Sequence, residues 1–210
     1  MRLQKLQAQF QGAISVQWHP FALRPERNAS PFEFKGSYVE RGWKSAALMT
    51  RNDGIGYQMW DQRPLPRWSL PGLYAGTAAQ RQGARLFEHF HLDMFAAYFG
   101  RGEDITSKEV AVEVARGSGL DVDRFSQDVD DEELQAEVFK KVIEAMSVYP
   151  VSAVPTVMIG GGSTVQGAVP AEDYLAALGK AGLNVDAAAL NADSSQVISS
   201  GWVGLDKIGE

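Results

Sequence analysis

The chain has 210 residues, 45% hydrophobic and 22% charged, with a formal net charge of −6 and no cysteine. Such a length supports one sizeable core, alone or with an inserted subdomain. The negative balance and the lack of any Lys/Arg block argue against nucleic acid and against an anionic membrane surface. No stretch approaches the roughly 20 apolar residues of a membrane span. Residues 1–10 have no apolar h-region, so a cytoplasmic protein is expected. Without cysteine, these residues form no disulfide and no thiolate metal site.

Residues 2–10 read as a helix, with Leu3, Leu6 and Phe10 at helical spacing, stopped by Gly12. Residues 13–18 alternate and predict a strand with Ile14, Val16 and Trp18 on one face. His19-Pro20 ends it, since proline has no N–H for a ladder. Residues 24–73 hold several prolines, the turn Asn52-Asp-Gly54, and Trp43, Trp60 and Trp68. A short helix near 37–50 is the one periodic stretch. The rest reads either as a functional loop or lid, or as a packed wrap whose tryptophans bury area.

Residues 74–99 predict a helix in two pieces, divided near Gly83. Leu86, Phe87, Phe90, Met94, Phe95 and Tyr98 form the apolar face of the second piece. Thr106-Ser-Lys-Glu109 has the form of a capping box, with Thr106 as the cap. The helix it opens carries Val110, Val114 and Ala115 and stops at Gly117-Ser-Gly119. A short helix follows near 121–128. The acidic turn Asp130–Glu133 opens a longer one, to about 147, with Leu134, Val138, Val142, Ala145 and Met146 as its buried stripe. Residues 155–159 and 163–166 predict a hairpin about Gly160–Gly162. Pro170 suits the first turn of a last helix, 170–181, ended by Gly182. Residues 184–210 look weakly ordered, although 196–198 and 201–203 are apolar.

Three blocks carry a family resemblance: Trp18-His-Pro-Phe-Ala-Leu-Arg-Pro25; Ala96–Ile105 with Gly119-Leu-Asp121; and Ala153-Val-Pro-Thr156 with Gln166-Gly-Ala168. Their order and spacing resemble the DsbA family of thioredoxin-like proteins, in its FrnE-like and 2-hydroxychromene-2-carboxylate isomerase-like branch. The similarity covers about 2–182. It implies an α/β, thioredoxin-like fold with an all-helical insertion and with the first strand missing. The thioredoxin-like part would be 1–73 and 148–183, the insertion 74–147, and a C-terminal extension 184–210.

The family's first strand and its Cys-x-x-Cys, or the serine of the isomerase branch, would precede Met1. Two expectations stand: a start assigned too late, or a shortened, redox-inactive relative. Losing a central strand would orphan two rows of backbone donors and acceptors. The segment 196–203, or a strand from a second chain, could fill that position. A vacant edge would also favour a homodimer.

The resemblance implies a DsbA-like thiol–disulfide oxidoreductase family protein, inactive in redox terms as it stands. The alternatives are a non-catalytic peptide-binding module and a glutathione-dependent isomerase or transferase relative. It makes Pro155 a cis-proline, and Val154, Pro155 and Thr156 the substrate-binding residues for a peptide or small thiol. No catalytic residue, metal or cofactor is assigned.

Other candidates are weaker. His89 and His91 are two apart on a helix and do not share a face, so with His19 they read as surface or interface histidines. The acidic run 128–133 lacks the ligand pattern of a calcium loop. Gly160–Gly162 lacks the sequel of a phosphate loop. Ser45, Ser69 and Ser118 lack the setting of a hydrolase nucleophile. Trp43, Trp60 and Trp68 could line a substrate surface or lie in the core.

Overall fold

A computed structural model describes residues 2–10, 13–28, 30, 32–51, 56–61, 65–149, 151–160 and 162–183. The chain divides into two compact units, 1–150 and 151–210. Among the described residues the first is helical and the second holds a β-hairpin and a helix.

The first unit is built around α3, Leu70–Gln80. Its sequence, Leu-Pro-Gly-Leu-Tyr-Ala-Gly-Thr-Ala-Ala-Gln, is apolar or small on every side, the mark of a helix enclosed by others. Pro71 sits in its first turn, where the missing N–H costs nothing. Ala75, Ala78 and Ala79 are fully buried. Four helices pack against α3: α4 (Ala84–Phe95), α5 (Lys108–Gly117), α6 (Val122–Asp130) and α7 (Glu132–Ser147). Between α3 and α4, Gly83 has φ 113°, a conformation that breaks the helix and suits only glycine. The core is filled by Phe90, Phe125, Leu134, Val138 and Val142. Burying side chains of this size contributes about 1.5–3 kcal/mol each.

A second, smaller core explains the tryptophan-rich segment. Ser37 caps α2, Tyr38–Met49, by accepting from the N–H groups of Val39 and Glu40. This helix carries Trp43 against Phe34, Trp60, Tyr98 and Phe99, with ring centroids 4.9–6.5 Å apart. Trp43 and Trp60 are buried, and Trp68 packs half-buried against the main core. The described part of this segment is therefore a packed wrap, with Trp43 and Trp60 in its core. Tyr98 and Phe99 reach the cluster from a single π-helical turn, Ala96–Gly100, that continues α4.

Several expectations need correction. Residues 14–18 carry no strand ladder. The alternation survives, because Ile14, Val16 and Trp18 are half-buried and Ser15 and Gln17 exposed. Trp18 instead packs edge-on against His91, at 4.7 Å, and its carbonyl accepts from Gln80 Nε2. An extended segment on helices alternates as a strand does, without pairing. The cap of α5 is Ser107, not Thr106: Ser107 Oγ accepts from Val110 N–H and donates to Glu109. Thr106 donates through both its N–H and its hydroxyl to Asp104. Phe95 and Met146, expected on buried faces, are about half exposed.

Other expectations hold. α1 spans Arg2–Gln9 and buries Leu6. Asp131 caps α7, accepting from Glu133 N–H. The acidic run also binds Arg81, which pairs with Asp128 at 3.1 Å and Asp131 at 3.0 Å. These pairs hold the Asp131 carboxyl below its ordinary range, chiefly through the Arg81 hydrogen bond. Gly12, the turn at 52–54, Gly161 and the segment 184–210 lie outside the described residues.

Candidate functional site

The second unit is a small frame for its first turn. β1, Thr156–Ile159, pairs antiparallel with β2, Ser163–Gln166, in the register Thr156 to Gln166 and Ile159 to Ser163. β-Branched residues take five of the eight strand positions, as the pleated geometry favours. The connection closes with Gly162 at φ 96°, its N–H donating to Ile159 O. α8, Ala171–Lys180, packs against β2 and buries Tyr174, Leu175 and Ala177. Pro170 is its cap residue, so the helix begins at Ala171, one position after the expected start.

Ahead of β1, the Val154–Pro155 peptide bond is cis. Pro155 O accepts from Gly167 N–H at 2.8 Å, carrying the pairing one residue past the ladder. Thr156 Oγ1 donates to Ala153 O at 2.6 Å, closing the turn over Val154. Ser152 donates to Gln166 Oε1 through both its N–H and its hydroxyl. The turn is thus held at Ser152, Ala153, Pro155 and Thr156.

Val154 stands out from that network. The residue is 40% exposed. Neither its N–H nor its C=O has a hydrogen-bond partner among the described residues. The sheet has two strands among those residues, so β1 also has an edge without a ladder neighbour. Met158, on the same strand, is 50% exposed. The three residues singled out from the sequence, Val154, Pro155 and Thr156, therefore form one solvent-facing turn. That turn can offer a backbone donor and acceptor and an apolar side chain. Its one hydroxyl, on Thr156, is engaged with Ala153 O, and it carries no ionisable side chain.

The remaining candidates fall elsewhere. His91 is half-buried among Trp18, Phe87 and Phe95, so it is not a surface histidine. Burial pulls its pKa down to about 4, and the imidazole is neutral near pH 7. Ser118 Oγ donates to Asp93 and to Val114 O, a structural role at the end of α5. Ser69 Oγ accepts from Arg24 N–H. No group of three or more His, Asp or Glu side chains is placed to hold a metal ion among the described residues. Burial raises Tyr98 to about 12, so its phenol stays protonated. Tyr98 belongs to the apolar face expected from the sequence, but its place against Trp43 and Trp60 comes from the π-helical turn, which has no sequence signature.

No helix among the described residues is long and apolar enough to cross a membrane. No curated protein matches the chain. Among solved structures, one described as a "putative protein disulfide isomerase" from Nitrosomonas europaea is similar in fold. Its TM-score is 0.73 at 14% identity, over 85% of this chain and 87% of that one. The family model of the DSBA-like thioredoxin domain matches residues 1–179. The match spans, in chain order, the helical unit, the cis X–Pro turn and the hairpin and helix that follow it, and the chain belongs to the DSBA-like thioredoxin domain family.

Proposed function

We propose that these 210 residues form the peptide-recognition part of a thiol–disulfide oxidoreductase-type protein. An extended peptide would add to the turn at Val154, Pro155 and Thr156 and to the edge of β1 opposite β2. The family and the fold support the oxidoreductase class. Disulfide exchange needs a thiolate, and none of these residues is a cysteine. Recognition, not redox turnover, is therefore what this chain's own chemistry supplies. A cytoplasmic setting is part of the same proposal.

The observation that supports this reading is that the N–H and C=O of Val154, on an exposed turn, have no hydrogen-bond partner among the described residues. Backbone groups so placed pair with an extended chain, while neighbouring side chains select among sequences. Val154 and Met158 supply an apolar contact on either side of Pro155 and Thr156.

The test is fluorescence anisotropy with a labelled eight-residue Val/Thr-rich peptide and versions N-methylated at single positions. N-methylation at a central residue removes one backbone donor and should weaken binding about tenfold; at a terminus it should change little. Equal binding of all versions, or no binding, would overturn the proposal.

A further inference from the structure

The first unit carries a cleft of about 750 Å³ lined by Arg24, Arg27 and Arg67, with Glu26 as the one carboxylate. Ligand pockets run from about 300 to 1,000 Å³. Three guanidinium groups against one carboxylate leave the cleft locally cationic in a chain of net charge −6.

The cleft is built rather than accidental. Arg24 N–H donates to Ser69 Oγ at 3.0 Å, and Ser69 N–H donates back to Arg24 O at 2.8 Å. This reciprocal pair pins the segment 24–28 beside 67–69. Arg67 lies over the Phe32 ring, 4.8 Å from its centroid. Arg27 lies over Trp68 at 5.9 Å. Aromatic faces hold planar guanidinium groups and leave their in-plane N–H donors free. None of the three is paired with a carboxylate among the described residues.

Arg67 supplies the most specific sign. Its Nε is buried and has no hydrogen-bond partner. A buried donor without an acceptor is costly, and a charged one more so. An acceptor brought by a ligand would remove that cost.

The geometry points to a binding site for a small molecule bearing an oxyanion, a phosphate or a carboxylate, held by the forks of Arg24, Arg27 and Arg67. Guanidinium forks match both groups by paired, charge-assisted hydrogen bonds. This inference does not depend on the peptide-binding reading.

Isothermal titration calorimetry of the whole chain with inorganic phosphate, and separately with citrate, tests it in a chloride background of about 0.1 M. The expected result is saturable binding of at least one. Arg27→Ala and Arg67→Lys should each weaken it about tenfold. Arg67→Lys keeps the charge and loses the fork, so its effect separates geometry from net charge. Arg116→Ala, at a half-exposed arginine on α5, should leave binding unchanged. Phosphate binding alone or citrate binding alone would support the site and choose its ligand class. No saturation by either up to about 10 mM, or equal loss in Arg116→Ala, would overturn it. Should Arg67→Lys fail to fold, the exposed Arg27→Ala variant still decides: unchanged affinity there rejects the site.

Discussion

The His91 imidazole stacks on the Phe87 ring, 5.2 Å between centroids and 20° from parallel. Trp18 closes the same site edge-on at 4.7 Å. A charged imidazolium there would lose its water, and burial accordingly lowers the pKa to about 4 from 6.5. The folded state keeps His91 neutral, while the unfolded chain binds a proton below its ordinary pKa. Stability should therefore be full above about pH 6.5 and fall as pH drops from there to about 4. The loss from this group is up to about 3 kcal/mol. His91→Phe should flatten that part of the curve, as urea unfolding at a series of pH values would show. An unchanged slope would place the titration elsewhere.

Phe125 and Leu134 are fully buried, and Phe125 meets Phe90 at 5.3 Å. Phe125→Ala removes a whole ring from a site enclosed by helices and should cost about 3–5 kcal/mol. Phe139, 48% exposed on the same helical unit, should tolerate alanine with less than about 1 kcal/mol of loss. Denaturant midpoints for the two variants check the contrast.

The start of α5 gives a sharper local test. Ser107 Oγ accepts from Val110 N–H, so Ser107→Ala should cost about 1 kcal/mol. Ser107→Asp keeps an acceptor at the cap and should recover most of it. Chemical denaturation of both variants measures the difference.

Arg81 draws together Asp128, Asp131 and Glu137 at the surface. Exposed pairs contribute little and are screened by salt. Arg81→Ala should lower Tm by only about 2 °C in low salt. In about 1 M salt, where charges are screened beyond roughly 3 Å, the difference should vanish. Calorimetric scans at the two ionic strengths read it directly.

Much of this architecture was legible because periodicity reports burial. The stripe Leu134, Val138, Val142 recurs every fourth residue and is fully buried. Gly83 and Gly162 marked breaks that positive φ values explain. The segment 13–18 misled because alternation records which side is covered, not what covers it. Trp18 is covered by His91 and Phe87 rather than by a neighbouring strand. The cap of α5 moved by one because Thr106 and Ser107 are chemically alike, and only Asp104 decides which is left for the helix. The Val154, Pro155 and Thr156 turn stood out through its family resemblance. The arginine cleft did not, because Arg24 and Arg67 are 43 positions apart and are brought to one cleft where Arg24 pairs with Ser69.

On the proposed reading, Val154 and the edge of β1 receive an extended peptide. Amide NMR of the labelled chain, titrated with the eight-residue peptide, reads this residue by residue. Shifts centred on Val154 and Thr156–Ile159 and slowed hydrogen exchange at the Val154 N–H are expected. Binding that leaves those amides unmoved, with shifts confined to other residues, would contradict it.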